Sequence, residues 1–415
     1  MPALVALGHR NFRLLWTGQL VSLTGTMMQN AAVLWHVSLL AQGGEKGVAL
    51  GLVGLVRVVP IVLFSLVGGV VADARDRRRL MLVTQSLMAI VATTLAVVTL
   101  SGSRALWPIY LLTALGSAAV AFDAPARQSL MPMLVPPEHL PNAISLSSIM
   151  MQTASVLGPT LAGVVIGIGG VGWAYVLNAL SFLAVLHGLA AMRRLPERPV
   201  QERTAVSLGA AREGLAFVFR SPLLRGAMLL DFFACFFASA TALLPMFAQD
   251  VLGVGPTGYG WLYAAASAGA VATSAVMVRA IERIEARGRV LLLSVLSYAL
   301  ATILFGLSHS FWLSFAALAA TGAADTVSMV LRNVIRQLHT PDRLRGRMTS
   351  VNMIFFMGGP QLGELEAGLV AQWAGPMVSV VTGGLGALVA LGVVAWATPA
   401  LARYRRARDA FRPSV

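Results

Sequence analysis

Leu157-Gly158-Pro159-Thr160-Leu161-Ala162-Gly163 and Leu362-Gly363-Glu364-Leu365-Glu366-Ala367-Gly368 stand 205 residues apart and share the frame Leu-Gly-x-x-x-Ala-Gly. Upstream, Pro137-Glu138-His139-Leu140 is matched by Pro341-Asp342-Arg343-Leu344 at an offset of 204, and Arg127 by Arg332. One such match is chance; three at nearly constant offset argue an internal duplication. Midway between the copies lies the longest polar stretch, residues 193–222, with Pro196, Pro199, Pro222 and mixed charge. The chain therefore reads as a half of residues 1–195, a linker of 196–221 and a second half of 222–415. Within the linker, Leu208 to Phe219 has the pattern of an amphipathic helix on a membrane surface.

Of the 415 residues, 57% are apolar and only 12% charged, and mean hydropathy is +0.77. That is about half the charge of a soluble protein, too little to cover one soluble core and too apolar for disorder. Crossing about 30 Å of hydrocarbon takes about 20 apolar residues. Twelve such runs are predicted, near 14–40, 48–72, 79–101, 106–128, 142–168, 171–192, 223–249, 257–280, 290–308, 311–334, 346–372 and 376–402. The net charge of +14 comes from 31 basic and 17 acidic residues, and Lys46 is the one lysine. With an even span count, Arg10, Arg13, the 75–79 and 193–225 clusters, 279–289, 343–347 and 403–412 fall on one side. The other side holds only Lys46 and Arg104. The asymmetry places both termini in the cytoplasm and accounts for the charge without nucleic acid. The expected fold is an all-α, multi-pass protein of the cytoplasmic membrane, with 12 transmembrane helices in two pseudo-symmetric six-helix bundles. Such a duplication suits alternating access, with substrate held between the halves.

The connection after the second span reads Gly68-Gly69-Val70-Val71-Ala72-Asp73-Ala74-Arg75-Asp76-Arg77-Arg78. Here the sequence resembles the major facilitator superfamily, whose signature at this place is matched by Gly69, Asp73, Arg77 and Arg78; Ala74 and Asp76 depart from it. The resemblance implies a cytoplasmic gating motif, in which a small residue lets helices approach and Asp73 pairs or caps. Gly158, Pro159 and Gly163 look like the helix-packing motif of the superfamily's drug and proton antiporters, with Pro159 kinking the helix. Asn11-Phe12-Arg13-Leu14-Leu15-Trp16, Phe122-Asp123-Ala124-Pro125-Ala126-Arg127-Gln128 and residues 340–347 are similar to the enterobactin-exporter and macrolide-efflux branch. That branch implies efflux of a bulky amphipathic compound, a drug or siderophore, driven by protons.

Ionisable residues at membrane depth are functional candidates because each is expensive there. Asp231 sits among Leu229, Leu230, Phe232 and Phe233, an apolar setting in which a carboxyl can exchange a proton; pairing with an arginine such as Arg225 is the structural alternative. Asp325 lies mid-span, with Arg332 seven residues on and about 10 Å along the helix; it is a coupling or substrate candidate. Glu364 and Glu366 point about 200° apart, so one faces the cavity and one a neighbouring helix. With Asp231 and Asp325 they are the proton-coupling candidates. Asp123 and Arg127, four apart, are expected to pair on one helix face as a gating or structural pair. Arg57 lacks an acid in its own span, so its partner is sought in Glu364, Glu366 or an anionic substrate group. Gln29, Asn30, Asp123, Arg127 and Arg332 complete the candidate cavity and charge partners.

No GxSxG, HExxH or Walker A motif lies in the loops, and no loop can house a catalytic domain, so an enzyme is not expected. The single Cys235 gives no disulfide framework or cysteine metal site, and neither metal nor cofactor is expected. The partners expected are a small amphipathic substrate, protons and membrane lipids, with the chain acting as a monomer. The competing reading is a lipid or lysophospholipid flippase or importer on the same fold.

Overall fold

The computed structural model describes residues 2–41, 43–193, 216–340 and 345–405; the side chains at 2–3, 43, 66, 69–70, 72–74 and 345–357 lie outside the description. The helices of the first half are α1 Arg10–Leu40, α2 Lys46–Ala74, α3 Arg77–Leu100, α4 Trp107–Leu130, α5 Leu140–Gly169 and α6 Val171–Ala191. The second half has α7 Pro222–Phe237, α8 Gly255–Ala280, α9 Arg287–Leu307, α10 Phe311–His339, α11 Arg345–Ala374 and α12 Pro376–Ala397. Among the described residues, ten segments are long and apolar enough to cross a membrane. α1 and α11, of 31 and 30 residues, are not among the ten, yet each would be about 45 Å long and packs within the bundle. Most of the proposed surface helix, and the repeat residues 341–344, lie outside the described residues.

Local chemistry starts and stops these helices. Asp76 caps α3 by accepting from the Arg79 amide at 3.0 Å. Proline opens α4, α5, α7, α8 and α12, where its missing N–H costs nothing. The α5–α6 and α11–α12 corners turn on Gly170 (φ +85°) and Gly375 (φ +86°), which are 205 residues apart. Both have ψ near 170°, a conformation essentially closed to other residues. The duplication is thus visible in the backbone itself.

α7 is interrupted. After Phe237 the chain runs through Ala238, Ser239 and Ala240 into a short 3-10 turn, Thr241–Leu243, then Leu244–Met246 and a π-helical turn, Phe247–Val251. In a membrane the freed backbone groups must be satisfied internally. The Tyr298 hydroxyl donates to the Ala238 carbonyl at 3.3 Å, and the Ser239 hydroxyl to the Pro360 carbonyl at 3.2 Å. The outer piece packs against α1 and α2 of the other half.

The buried apolar side chains explain how the halves meet. One cluster joins both halves at the end near the α1–α2 connection, including Leu34, Leu50, Tyr175, Phe247, Tyr259 and Phe305. Toward the terminal end, Phe12, Met81, Leu130 and Leu189 form a cluster confined to the first half. Leu224, Leu291, Leu331 and Leu401 form one confined to the second. Among the described residues the halves are therefore sealed together at the end opposite the termini and packed in separate clusters at the other.

Candidate functional site

Two helix seams make the seal, α2 against α11 and α5 against α8. Both are built on glycine. A Cβ on Gly163 would lie 2.7 Å from the Pro256 carbonyl oxygen, and one on Gly260 would lie 2.6 Å from that of Pro159. On the other seam, a Cβ on Gly47 would lie 2.5 Å from the Gly368 oxygen. Such backbone contact is how helices associate where hydrophobicity supplies no driving force. Gly158 instead meets α1, at Thr24 and Met27. Pro159 is buried within α5.

Polar groups reinforce the same end. Lys46 Nζ lies 3.0 Å from Asp250 and donates to Gln249 Oε1 at 2.8 Å. Gln249 in turn donates to Ser38, and the Tyr259 hydroxyl to the Ala31 carbonyl. The sequence pointed at none of these cross-half contacts; the signal available was the lone lysine in a chain otherwise basic through arginine.

Inside the second half, Arg332 of α10 is the hub. It lies 2.5 Å from Asp231 of α7 and 3.7 Å from Asp325 on its own helix. The expected 10 Å gap to Asp325 is closed because a helical side chain leans toward the N-terminus and arginine is long. Arg332, not Arg225, is the partner of Asp231. The Cys235 thiol donates to Asp231 Oδ1 at 3.6 Å, and Arg336 donates to Asn333 at 2.9 Å. Asp231 and Arg332 are about nine-tenths buried, whereas the Asp325 side chain is 41% exposed. The ligand atoms of Asp231, Cys235 and Asp325 lie within 4.8 Å of one another. A metal ion there would compete with the guanidinium that already pairs with both carboxylates.

The first half carries a neutral counterpart. Arg127 donates to Gln19 of α1 at 3.2 Å, beside a cavity of about 190 Å³ lined by Trp16, Met131, Met150 and Met151. The expected Asp123–Arg127 pair does not form. Asp123 is buried, and its Oδ1 accepts from Thr84 at 3.0 Å and Gln85 at 2.9 Å, both on α3. With that oxygen occupied by α3, the arginine turns to α1. Gln29 accepts from Asn178 Nδ2 at 2.7 Å, tying α1 to α6.

Arg57 of α2 donates to the Asn30 carbonyl at 3.1 Å. Glu364 of α11 is its charged neighbour across the seam, although the two make no N···O contact within 4.0 Å. Glu364 faces α2 and is buried, while Glu366 is half-exposed. At the terminal end Arg78 donates to the Leu189 and Ala190 carbonyls, and Arg77 contacts Met133. Gly69 and Asp73 lie on α2, with side chains outside the described residues.

Known proteins share this architecture. The chain is 28% identical over 388 residues to the enterobactin exporter EntS of Shigella boydii serotype 18 and of Escherichia coli O1:K1, spanning 93% of this chain and 91% of each relative. Among solved structures it resembles a bacterial homologue of the human lysosomal transporter Spinster, inward-facing and unoccupied. There the TM-score is 0.75 at 15% identity, covering 96% of this chain and 99% of that one. It also resembles an inward-facing bacterial homologue of the iron transporter ferroportin (TM-score 0.69, 15% identity, 95% and 99% covered). The profile described as "Transmembrane secretion effector" matches residues 2–409. With its spanning helices and this match over nearly the whole length, the chain is a multi-pass membrane protein that belongs to the transmembrane secretion effector family of major facilitator transporters.

Proposed function

We propose that this protein is a monomeric, proton-coupled exporter of a bulky amphipathic organic compound, a siderophore or drug, working by alternating access between its halves. Both termini and the 196–221 linker are cytoplasmic, between bundles of residues 1–195 and 222–415. The likeness to enterobactin exporters supports the direction and substrate class. The observation that carries the coupling is one guanidinium shared by two carboxylates, Asp231 and Asp325, at membrane depth. With all three ionised, the trio holds one negative charge in excess. A proton, or a cationic group of the substrate, neutralises it, so the two compete for one site. Asp325, the more exposed acid, is the entry point.

The test is accumulation of fluorescent amphipathic dyes and siderophores in efflux-deficient cells expressing the protein, with and without a protonophore. Reduced accumulation that the protonophore abolishes, and that Asp231→Asn or Asp325→Asn impairs, is the expected result. Loss of accumulation that persists under protonophore overturns proton coupling. A copurified lipid with no effect on any dye or siderophore favours flippase or import activity instead.

A further inference from the structure

Glu364 is 5% exposed, and its Oε2 has no hydrogen-bond partner. A buried polar atom without a partner is uncommon and costly. The carboxylate is wedged into the α2–α11 seam: a Cβ on Gly54 would lie 2.8 Å from Oε2. On the other side of the seam, Arg57 also has a buried nitrogen, Nε, without a partner. Arg57 is turned to the Asn30 carbonyl, with Tyr263 of α8 beside it. The ionisable groups facing Glu364 are thus Arg57 of α2 and Tyr259 and Tyr263 of α8. Of the other acids of the second half, Glu366 stands two residues on and is half-exposed, and Asp231 and Asp325 are engaged with Arg332. Gln361, one turn before Glu364, has an unpartnered buried Oε1 as well.

From this arrangement we infer that Glu364 is a proton-binding site of the outer seam, and that its protonation permits α2 and α11 to close. A carboxylate with a buried oxygen that has neither a hydrogen bond nor a touching cation is costly in such a place. The protonated acid gains an O–H donor, and the Gln361 oxygen on the same helix is a free acceptor. Opening the seam returns Glu364 and Arg57 to water, where the ionised acid is stable. By linkage, the closed seam holds the proton more tightly than the open one, so outer acid favours closure. This deepens the proposed export cycle and rests on alternating access. The carrier takes a proton from outside, closes over it and returns facing inward, while the Asp231–Arg332–Asp325 trio handles the substrate side.

The test needs no substrate. Ala371, buried one turn beyond Gly368 on the same seam, is changed to cysteine in a Cys235→Ala background. Labelling by a membrane-impermeant maleimide is followed in intact cells at about pH 5.5 and about pH 8, corrected for thiolate reactivity with an exposed control cysteine. The corrected rate is expected to be at least about threefold higher at the alkaline pH, a population shift. Glu364→Gln, which mimics the protonated acid, labels slowly at both pH values, with a ratio near one. Glu364→Asp retains the response, which guards against a variant that merely misfolds. A flat response in the parent protein, or an unchanged response in Glu364→Gln, overturns the inference. Labelling that follows pH through Glu364 while export ignores a protonophore leaves the seam site standing and removes the coupling assigned to the aspartates.

Discussion

Arg332 grips Asp231 across the α7–α10 interface at 2.5 Å, whereas its repeat counterpart Arg127 is held by the neutral Gln19. The two arginines occupy matching places, and each reaches the first helix of its own half. Only the second half has placed an acid there. Breaking a buried pair by removing one partner leaves an uncompensated charge and costs about 3–5 kcal/mol, while removing both is far cheaper. Arg332→Gln is therefore expected to lower the melting temperature in detergent more than Asp231→Asn with Arg332→Gln together. A double-mutant cycle on thermal stability measures the coupling, and additive losses would contradict the contact.

Asp123 and Arg127 should show no such coupling, although they stand four residues apart on one helix. Asp123 serves Thr84 and Gln85, and Arg127 serves Gln19. Asp123→Leu is expected to cost about 1–3 kcal/mol by orphaning the buried Gln85 amide, Thr84 turning instead to the Met81 carbonyl, and Asp123→Asn less because an acceptor oxygen remains. The Asp123–Arg127 coupling energy in a cycle should stay within about 0.5 kcal/mol. A larger value would mean the helix face governs after all.

The seam glycines admit no side chain. Gly163→Val drives a branched carbon into the Pro256 and Gly260 backbone, and overpacking of this kind costs about 1–3 kcal/mol. The cost falls on the sealed arrangement, so the variant should express and insert but expose its outer seam. Faster impermeant-reagent labelling at Ala371→Cys, with export reduced about tenfold or more, is the expected outcome. Labelling unchanged from the parent would show that the seam tolerates the volume.

Lys46 and Asp250 form a partly exposed clasp between the halves. Exposed pairs are worth about 0.2–1 kcal/mol and weaken with salt. Lys46→Asp alone should loosen the outer seal slightly, and the swap with Asp250→Lys should restore it. The restoring effect should shrink as ionic strength rises, read by the same labelling assay. A swap that rescues nothing would leave Gln249 as the working partner of Lys46.

Much of the architecture was legible because lipid simplifies the code. Long apolar runs mark helices. The Leu-Gly-x-x-x-Ala-Gly frames found the repeat, and Gly170 and Gly375 repeat it in the backbone. What spacing along one helix could not supply was the third dimension. The partner of Asp231 lies a hundred residues away. Asp123 turned from the arginine on its own helix because α3 offered two donors. Arg332 closed a gap that helical rise alone left open, because side-chain tilt and length act across turns. The seal between the halves rests on Lys46, Gln249 and Tyr259, which carry no periodic or motif-like signature, and on glycine backbones, of which Gly163 and Gly368 close the repeated frame.

The interruption of α7 has a mechanical meaning. Its outer piece packs on α1 and α2 of the first half and equally on α8 and α11 of its own, while Pro222–Phe237 runs with α10, α11 and α12. One helix thus has its first piece within the second half and its last piece wedged between the two halves. A shift of the last piece relative to the first is taken up at Ala238, Ser239 and Ala240, whose side chains are too small to jam it. Tyr298 and Ser239 then act as the pins of a knee joint, and stiffening that knee would stall the machine while leaving every charge in place.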